Sequence, residues 1–102
     1  MALDISNAAN TTGVIGADAS NPIRVTVTNL EARTQNGGVF ISSPTQGINI
    51  GGANLGGGLT GINTGTGVLS LTTVGAITDS EAMAVGGAAT FAAGSANAIT
   101  LD

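Results

Sequence analysis

The chain contains no cysteine, histidine, lysine, tyrosine or tryptophan, and its only cations are Arg24 and Arg33. Without cysteine there is no disulfide and no thiolate chemistry. Without histidine, lysine and tyrosine, the usual general bases and activated nucleophiles are missing. The formal net charge of −4 argues against a nucleic-acid partner, since phosphate binding needs clustered lysine and arginine. We therefore expect no enzyme, no catalytic residue, no cofactor and no metal site.

Long apolar runs are also missing. No stretch of about 20 apolar residues is present to insert into a bilayer, and no basic start followed by an apolar run marks a secretion signal in this chain. The length of 102 residues fits one domain, 1–102, or one unit of a tandem array or fibre. The single alanine-rich helix candidate, residues 81–93, has Gly86 and Gly87 in its middle, and each glycine costs about 1 kcal/mol in a helix.

Apolar residues alternate with polar ones through most of the chain. This period-two pattern, bounded by Gly, Asn, Ser and Asp, is typical of β-strands. It recurs at Leu3/Ile5, Ile23/Val25/Val27, Val39/Ile41, Ile48/Ile50, Leu69/Leu71 and Ile99/Leu101. The sequence therefore predicts an all-β fold.

The strands recur at a nearly constant spacing. One column of apolar residues, Ile5, Val27, Ile50, Leu71 and Phe91, has successive gaps of 22, 23, 21 and 20 residues, and Ile77 and Ile99 are 22 apart. A period of this length is typical of one coil of a β-solenoid. The pattern predicts a parallel β-solenoid of about five coils of roughly 20–23 residues, with these seven residues in its core.

The composition bears on the choice between this solenoid and an antiparallel β-sandwich. Asn36-Gly37 is a hairpin signal that fits a sandwich, but the absent tryptophan and tyrosine favour the narrow aliphatic tube of a solenoid. Glycines at 37–38, 56–58 and 86–87 are expected at corners that need positive φ. Threonine and serine are expected on the outward face of the strands.

Residues 67–102 resemble the β-strand repeats of very large bacterial surface proteins, the filamentous-haemagglutinin-like adhesins. The resemblance lies in the segments 69–73, 75–78, 85–87 and 97–101, and residues 29–42 look like the same repeat class. It implies a right-handed parallel β-helix, export to the cell surface or the medium, and a role in attachment or surface coating.

The segment ALDISNAAN at 2–10 is similar to AITLD at 98–102. A solenoid end without a polar cap exposes unpaired ladder groups, to which another strand can add. The expected partners are other copies of the chain or adjacent repeats, stacked head to tail, and also a host or surface glycan or protein.

Two further classes of function have less support in the sequence. A solenoid face could bind ice, but the Thr-x-Thr pattern occurs only at 26/28 and 64/66, whereas an ice-binding face needs it once per coil. A face that binds glycan would be favoured by stacked aromatic residues, and the sequence offers no such platform. A carboxylate enzyme would depend on Asp79 and Glu81, which alternation places on one face if they share a strand; a solvated turn is the simpler interpretation. Arg24 and Arg33 are expected to form exposed ion pairs with Glu31 or with carboxylates of a neighbouring copy, and such pairs contribute only about 0–1 kcal/mol.

Overall fold

The structure is a computed structural model that describes residues 1–7, 12–56 and 58–102. Within these ranges every element is a β-strand, and no helix is long and apolar enough to cross a membrane. The strands are β1 (Ala2–Asn7), β2 (Ile23–Arg24), β3 (Asn29–Thr34), β4 (Val39–Ser43), β5 (Ile48–Ile50), β6 (Ile62–Gly65), β7 (Leu69–Thr73), β8 (Ile77–Asp79), β9 (Met83–Val85), β10 (Ala89–Ala92) and β11 (Ile99–Thr100).

The strands form two curled sheets whose named pairs are all parallel. The larger sheet has the order β11-β8-β5-β3-β6-β9, with β1 also paired to β3; the smaller has the order β10-β7-β4-β2. Along the chain from β1 to β11, one or two consecutive strands of the larger sheet alternate with one strand of the smaller sheet. Parallel neighbours require a crossover between them, and here the strand of the other sheet supplies it.

Alternation of side chains explains why these segments become strands. In β4, Val39, Ile41 and Ser43 are buried and the two residues between them are half-buried. In β7, Leu69 and Leu71 are buried in the same way. Because successive side chains of a strand point to opposite faces, the period-two pattern gives each strand one apolar face, and the two sheets bury these faces against each other.

Burial is complete in the middle strands and partial in the end strands. The buried apolar residues that pack together as one core cluster are Ile15, Val25, Val27, Leu30, Ala32, Val39, Ile41, Ile48, Ile50, Ile62, Leu69, Leu71 and Ile77. The half-buried apolar residues packed against this core are Leu3, Ile5, Ile23, Met83, Val85, Phe91, Ala93 and Leu101. This second set lies in β1, β2, β9 and β10 or just after β10 and β11, where one neighbouring strand is missing.

The prediction of an all-β fold with parallel strands is confirmed, but the spacing is less regular than expected. Val39 pairs with Leu69, thirty residues further on, whereas Leu69 pairs with Ala89, twenty residues further on. Leu71 and Phe91 are ladder partners, as are Ile77 and Ile99.

The prediction that five residues stack in a single column was wrong, except that Leu71 and Phe91 are ladder partners. Ile50 pairs with Leu30 and Asp79, Ile5 pairs with Ala32, and Val27 lies just before β3. This prediction failed because it assumed one constant period, while the structure has two sheets and an insertion.

Close backbone approach, rather than positive φ, explains the glycines at the corner after β3. A methyl group at Gly37 would overlap the carbonyl oxygen of Gly13, one at Gly67 would overlap that of Gly37, and one at Gly87 would crowd that of Gly67. None of these glycines has positive φ, whereas Gly56 and Gly58 do, as predicted; Gly57 lies outside the described residues. The four glycines form one stacked column in which no side chain fits.

Hydroxyl side chains enter the core at the ends of strands, contrary to the outward position expected for them. Thr34 and Thr64 are buried, and their Oγ1 atoms donate to the carbonyls of Gly37 and Gly67 at 2.6 and 2.8 Å. In the smaller sheet, the hydroxyls of Ser43 and Thr73 donate to Gln46 and Gly75. Each hydroxyl donates to a carbonyl of the corner that follows its strand, and the Gly67 carbonyl also accepts from the Gly87 amide at 3.0 Å.

Candidate functional site

The candidate site lies on the outward face of the larger sheet, at Glu31 in β3. Leu30, Ala32 and Thr34 point into the core, so alternation places Glu31 on the opposite face. Glu31 is nevertheless only 1% exposed. A carboxylate on an outward face can be buried only if something covers it, and here the cover is a loop inserted into the next strand position.

The insertion separates β5 from β6. Asn29 and Leu30 pair with Asn49 and Ile50 of β5, while Ala32 pairs with Ile62 of β6. Two strands therefore lie end to end along one edge of β3, and the segment between them, of which the structure describes 51–56 and 58–61, leaves the sheet. The gap is opposite Glu31.

The loop is fixed at both ends by backbone hydrogen bonds to β3. The Gly51 amide donates to the Leu30 carbonyl at 2.8 Å, and the Ala32 amide donates to the Gly61 carbonyl at 2.9 Å. Gly51 and Gly61 have φ of 100° and 60°, a region that glycine adopts at no steric cost. These two glycines let the chain leave the ladder and re-enter it within one residue position of β3.

Two carboxylates hold the backbone of the loop. Glu31 Oε1 accepts a hydrogen bond from the Ala53 amide at 3.1 Å. Glu81, in the connection between β8 and β9, accepts one through Oε2 from the Gly61 amide at 2.9 Å. Both contacts join an acidic side chain to an amide of the inserted segment, so the position of the loop depends on these two side chains.

A third carboxylate, Asp4, adjoins Glu31 on the other side. Asp4 of β1 is the register partner of Glu31 in the parallel ladder. Asp4 Oδ1 and Glu31 Oε2 are both shielded from solvent and have no hydrogen-bond partner. Such unsatisfied buried oxygens are rare and costly in proteins, and among the described side chains these are the two that stand out.

The surroundings favour the neutral form of Glu31. Burial and the carboxyl groups of Asp4 and Glu81 raise the pKa of Glu31 above its ordinary value of 4.5, and the hydrogen bond from the Ala53 amide acts in the opposite direction. Desolvation and like charges both disfavour an ionised carboxylate. The site is therefore suited to holding a proton.

A polar ladder and a hollow flank the carboxylates. On one side, the Asn29 and Asn49 amides donate to the Gly51 carbonyl at 2.9 and 3.1 Å, and Thr78 donates to Asn49. On the other side, a hollow of about 230 Å³ lies beside the loop, lined by Ala32, Arg33, Gly58, Leu59, Thr60 and Asn63. Among the described residues, no three acidic side chains form a group that could hold a metal ion.

The chain matches no protein-family model, no curated protein and no solved structure.

The residues singled out from the sequence are only partly brought together. Asp79 ends β8 and Glu81 lies outside any strand, so the two do not share a strand face. Asp79 Oδ1 accepts from the amide of Asp102 at 3.0 Å, while Glu81 belongs to the loop contact. Of the two arginines, Arg33 lines the hollow and Arg24 lies in β2.

Sequence reasoning treated Glu31 as a surface residue and missed its burial. The available signal was its position between Leu30 and Ala32 in a strand, together with the glycine-rich run 51–61 at the matching position twenty residues later. The seven residues proposed for the core are distributed as follows: Val27, Ile50, Leu71 and Ile77 are buried, Ile5 and Phe91 are half-buried, and Ile99 is 45% exposed.

Proposed function

We propose that this chain is a structural β-solenoid module of an exported bacterial surface protein, either an adhesin stalk or an extracellular fibre, which stacks end to end with the next module. In this proposal each passage through the larger and then the smaller sheet is one coil. The alternation of the strands between two parallel sheets supports a solenoid. The resemblance of residues 67–102 to adhesin repeats supports the surface location and the role in attachment.

The observation that carries the stacking proposal is the open interior at both ends. At one end, Leu3 and Ile5 of β1 continue the inward columns but are only half-buried. At the other end, Val85, Phe91 and Leu101 are likewise only half-buried. A further parallel strand at either end would bury this apolar surface, which is favourable by about 25 cal/mol per Å².

Within the described part of the chain, backbone groups at the same ends also lack ladder partners. There β1 pairs only with β3, and β10 pairs only with β7. An uncovered strand edge offers a row of amides and carbonyls to which another strand can add. Because both ends carry parallel strands, a head-to-tail contact preserves the direction of the ladder, and repetition of this contact gives a filament.

The test is the mass of the purified chain as a function of concentration, by light scattering, with electron microscopy at the highest concentration. We expect mass to rise with concentration and filaments to form. The variant Ile99→Lys, which places a charge on the end strand β11, should stay monomeric.

Val74→Lys is the matched control, since Val74 is 49% exposed and Ile99 is 45% exposed, but Val74 follows the middle strand β7. This control should assemble like the unmodified chain. A chain that is monomeric at every concentration, or equal loss of assembly in both variants, would contradict end-to-end stacking.

A further inference from the structure

Asp4 and Glu31, two acidic residues, are register partners across the β1–β3 ladder. Side chains in register on adjacent strands have Cβ atoms about 5 Å apart, so two ionised carboxylates there repel strongly. Their two shielded oxygens, Asp4 Oδ1 and Glu31 Oε2, have no donor. One added donor between them would satisfy both atoms at once.

A proton supplies this donor more simply than a metal ion. Protonated Glu31 has one O–H group, and a carboxylate oxygen of Asp4 is an acceptor. A divalent cation would instead need several oxygen ligands, and the described part of the chain holds no group of three acidic side chains suited to a metal.

We propose that a proton on Glu31, donated in a hydrogen bond to Asp4, holds the inserted loop between β5 and β6 on the sheet, and that loss of this proton at higher pH loosens the loop. The loop is anchored through Ala53 to Glu31 and through Gly61 to Glu81. Ionisation of Glu31 sets its charge against Asp4 on one side and Glu81 on the other. Because the repulsion moves the two side chains that hold the loop, it acts on both anchors together.

The charged groups described around Glu31 are few. Asp4 faces Glu31 from β1, Glu81 faces it from the connection after β8, and Arg33 lies two residues along β3 itself, on the same face by alternation. The loop 51–61 contains no ionisable side chain in its sequence. A pH-dependent change in the loop must therefore arise from the carboxylates beneath it.

The direction of the pH effect follows from linkage. Because the pKa of Glu31 is raised in the folded chain, the folded state binds more protons than the unfolded state above pH 4.5, so stability falls as pH rises. The contribution is complete below the ordinary value and is lost as pH passes through the raised value. The effect does not depend on end-to-end stacking and is measured on dilute, monomeric chain.

The experiment combines two measurements on the unmodified chain. Side-chain ¹³C NMR follows the titration of the Glu31 carboxyl, and hydrogen exchange follows the Ala53 and Gly61 amides, expressed as protection relative to an unfolded chain at the same pH. We expect Glu31 to titrate above 4.5 and both amides to lose protection across that titration. A Glu31 titration at or below its ordinary value would overturn the proposal, whatever the variants show.

Glu31→Gln is the informative variant, because its amide group donates to Asp4 as a protonated carboxyl does but never ionises. It should keep the loop protected at every pH. Asp18→Asn removes one exposed carboxylate from the connection between β1 and β2 and should behave like the unmodified chain. Equal loss of protection in Glu31→Gln and the unmodified chain would contradict the proposal, and so would recovery of loop protection at high pH on adding Ca²⁺ or Mg²⁺.

Discussion

Ile77 and Ile99 are the same residue type, at the same position of the same ladder, yet their surroundings differ. Ile77 in the middle strand β8 is fully buried, while its partner Ile99 in the end strand β11 is 45% exposed. Leu71 and its partner Phe91 show a similar contrast between β7 and β10. Burial in this fold therefore depends on having a paired strand on both sides.

This contrast separates two kinds of stability within one chain. A middle strand gains a ladder on each edge and a closed interior, whereas an end strand gains one ladder and leaves apolar surface in water. Regions with few buried contacts open at lower free energy than the core. A substitution should therefore cost more in a middle strand than at the matching position of an end strand.

The largest effect is expected for a charge placed in the middle of the ladder. Leu71→Asp buries an unpaired carboxylate at a site with no solvent exposure, which should cost more than about 4 kcal/mol and prevent folding. Phe91→Asp, at the partner position, leaves the charge in contact with water and should cost about 1–2 kcal/mol. Thermal unfolding by circular dichroism compares the two, and equal losses would contradict the distinction between middle and end strands.

A smaller effect is expected for the buried hydroxyls at the corners. Thr34→Val preserves shape but removes the hydroxyl that donates to the Gly37 carbonyl at 2.6 Å, which should cost about 1–3 kcal/mol. Thr100→Val changes the same residue type in the exposed end strand β11 and should cost less than about 0.5 kcal/mol. Urea unfolding measures both, and a harmless Thr34→Val would show that the corner carbonyl is satisfied in another way.

The strands themselves could be predicted from the sequence, because alternation is local. Val39/Ile41 and Leu69/Leu71 each define one apolar face without reference to the rest of the chain. The absence of a helix at 81–93 followed from the glycine pair in the same local way. Which strands pair with each other could be predicted less accurately, since pairing depends on how many residues lie between the strands.

The insertion at 51–61 is the main reason that a single period failed. The connection between β5 and β6 is ten residues longer than the matching part of β3. Every strand after it is therefore displaced along the sequence, so that Leu69 pairs with Val39 and not with Ile48. The same insertion buries Glu31, which sequence reasoning placed at the surface. Burial of Glu31 is set by a segment twenty residues away, and no local pattern around residue 31 reports it.

The inward threonines were missed for a related reason. Threonine is common on both faces of strands, and whether a hydroxyl finds a corner carbonyl depends on the turn that follows. In retrospect, Thr34 and Thr64 each precede a glycine by three residues, and this repeated spacing is a local signal for the corner.

Hydrogen exchange of the unmodified chain at low and at high protein concentration tests the central claim, that the open ends are where modules stack. We expect the amides of β3, β4 and β7 to be well protected at both concentrations. Amides of β1, β10 and β11 should be weakly protected in dilute solution and gain protection as concentration rises. End-strand amides that stay equally exposed at every concentration would contradict end-to-end stacking.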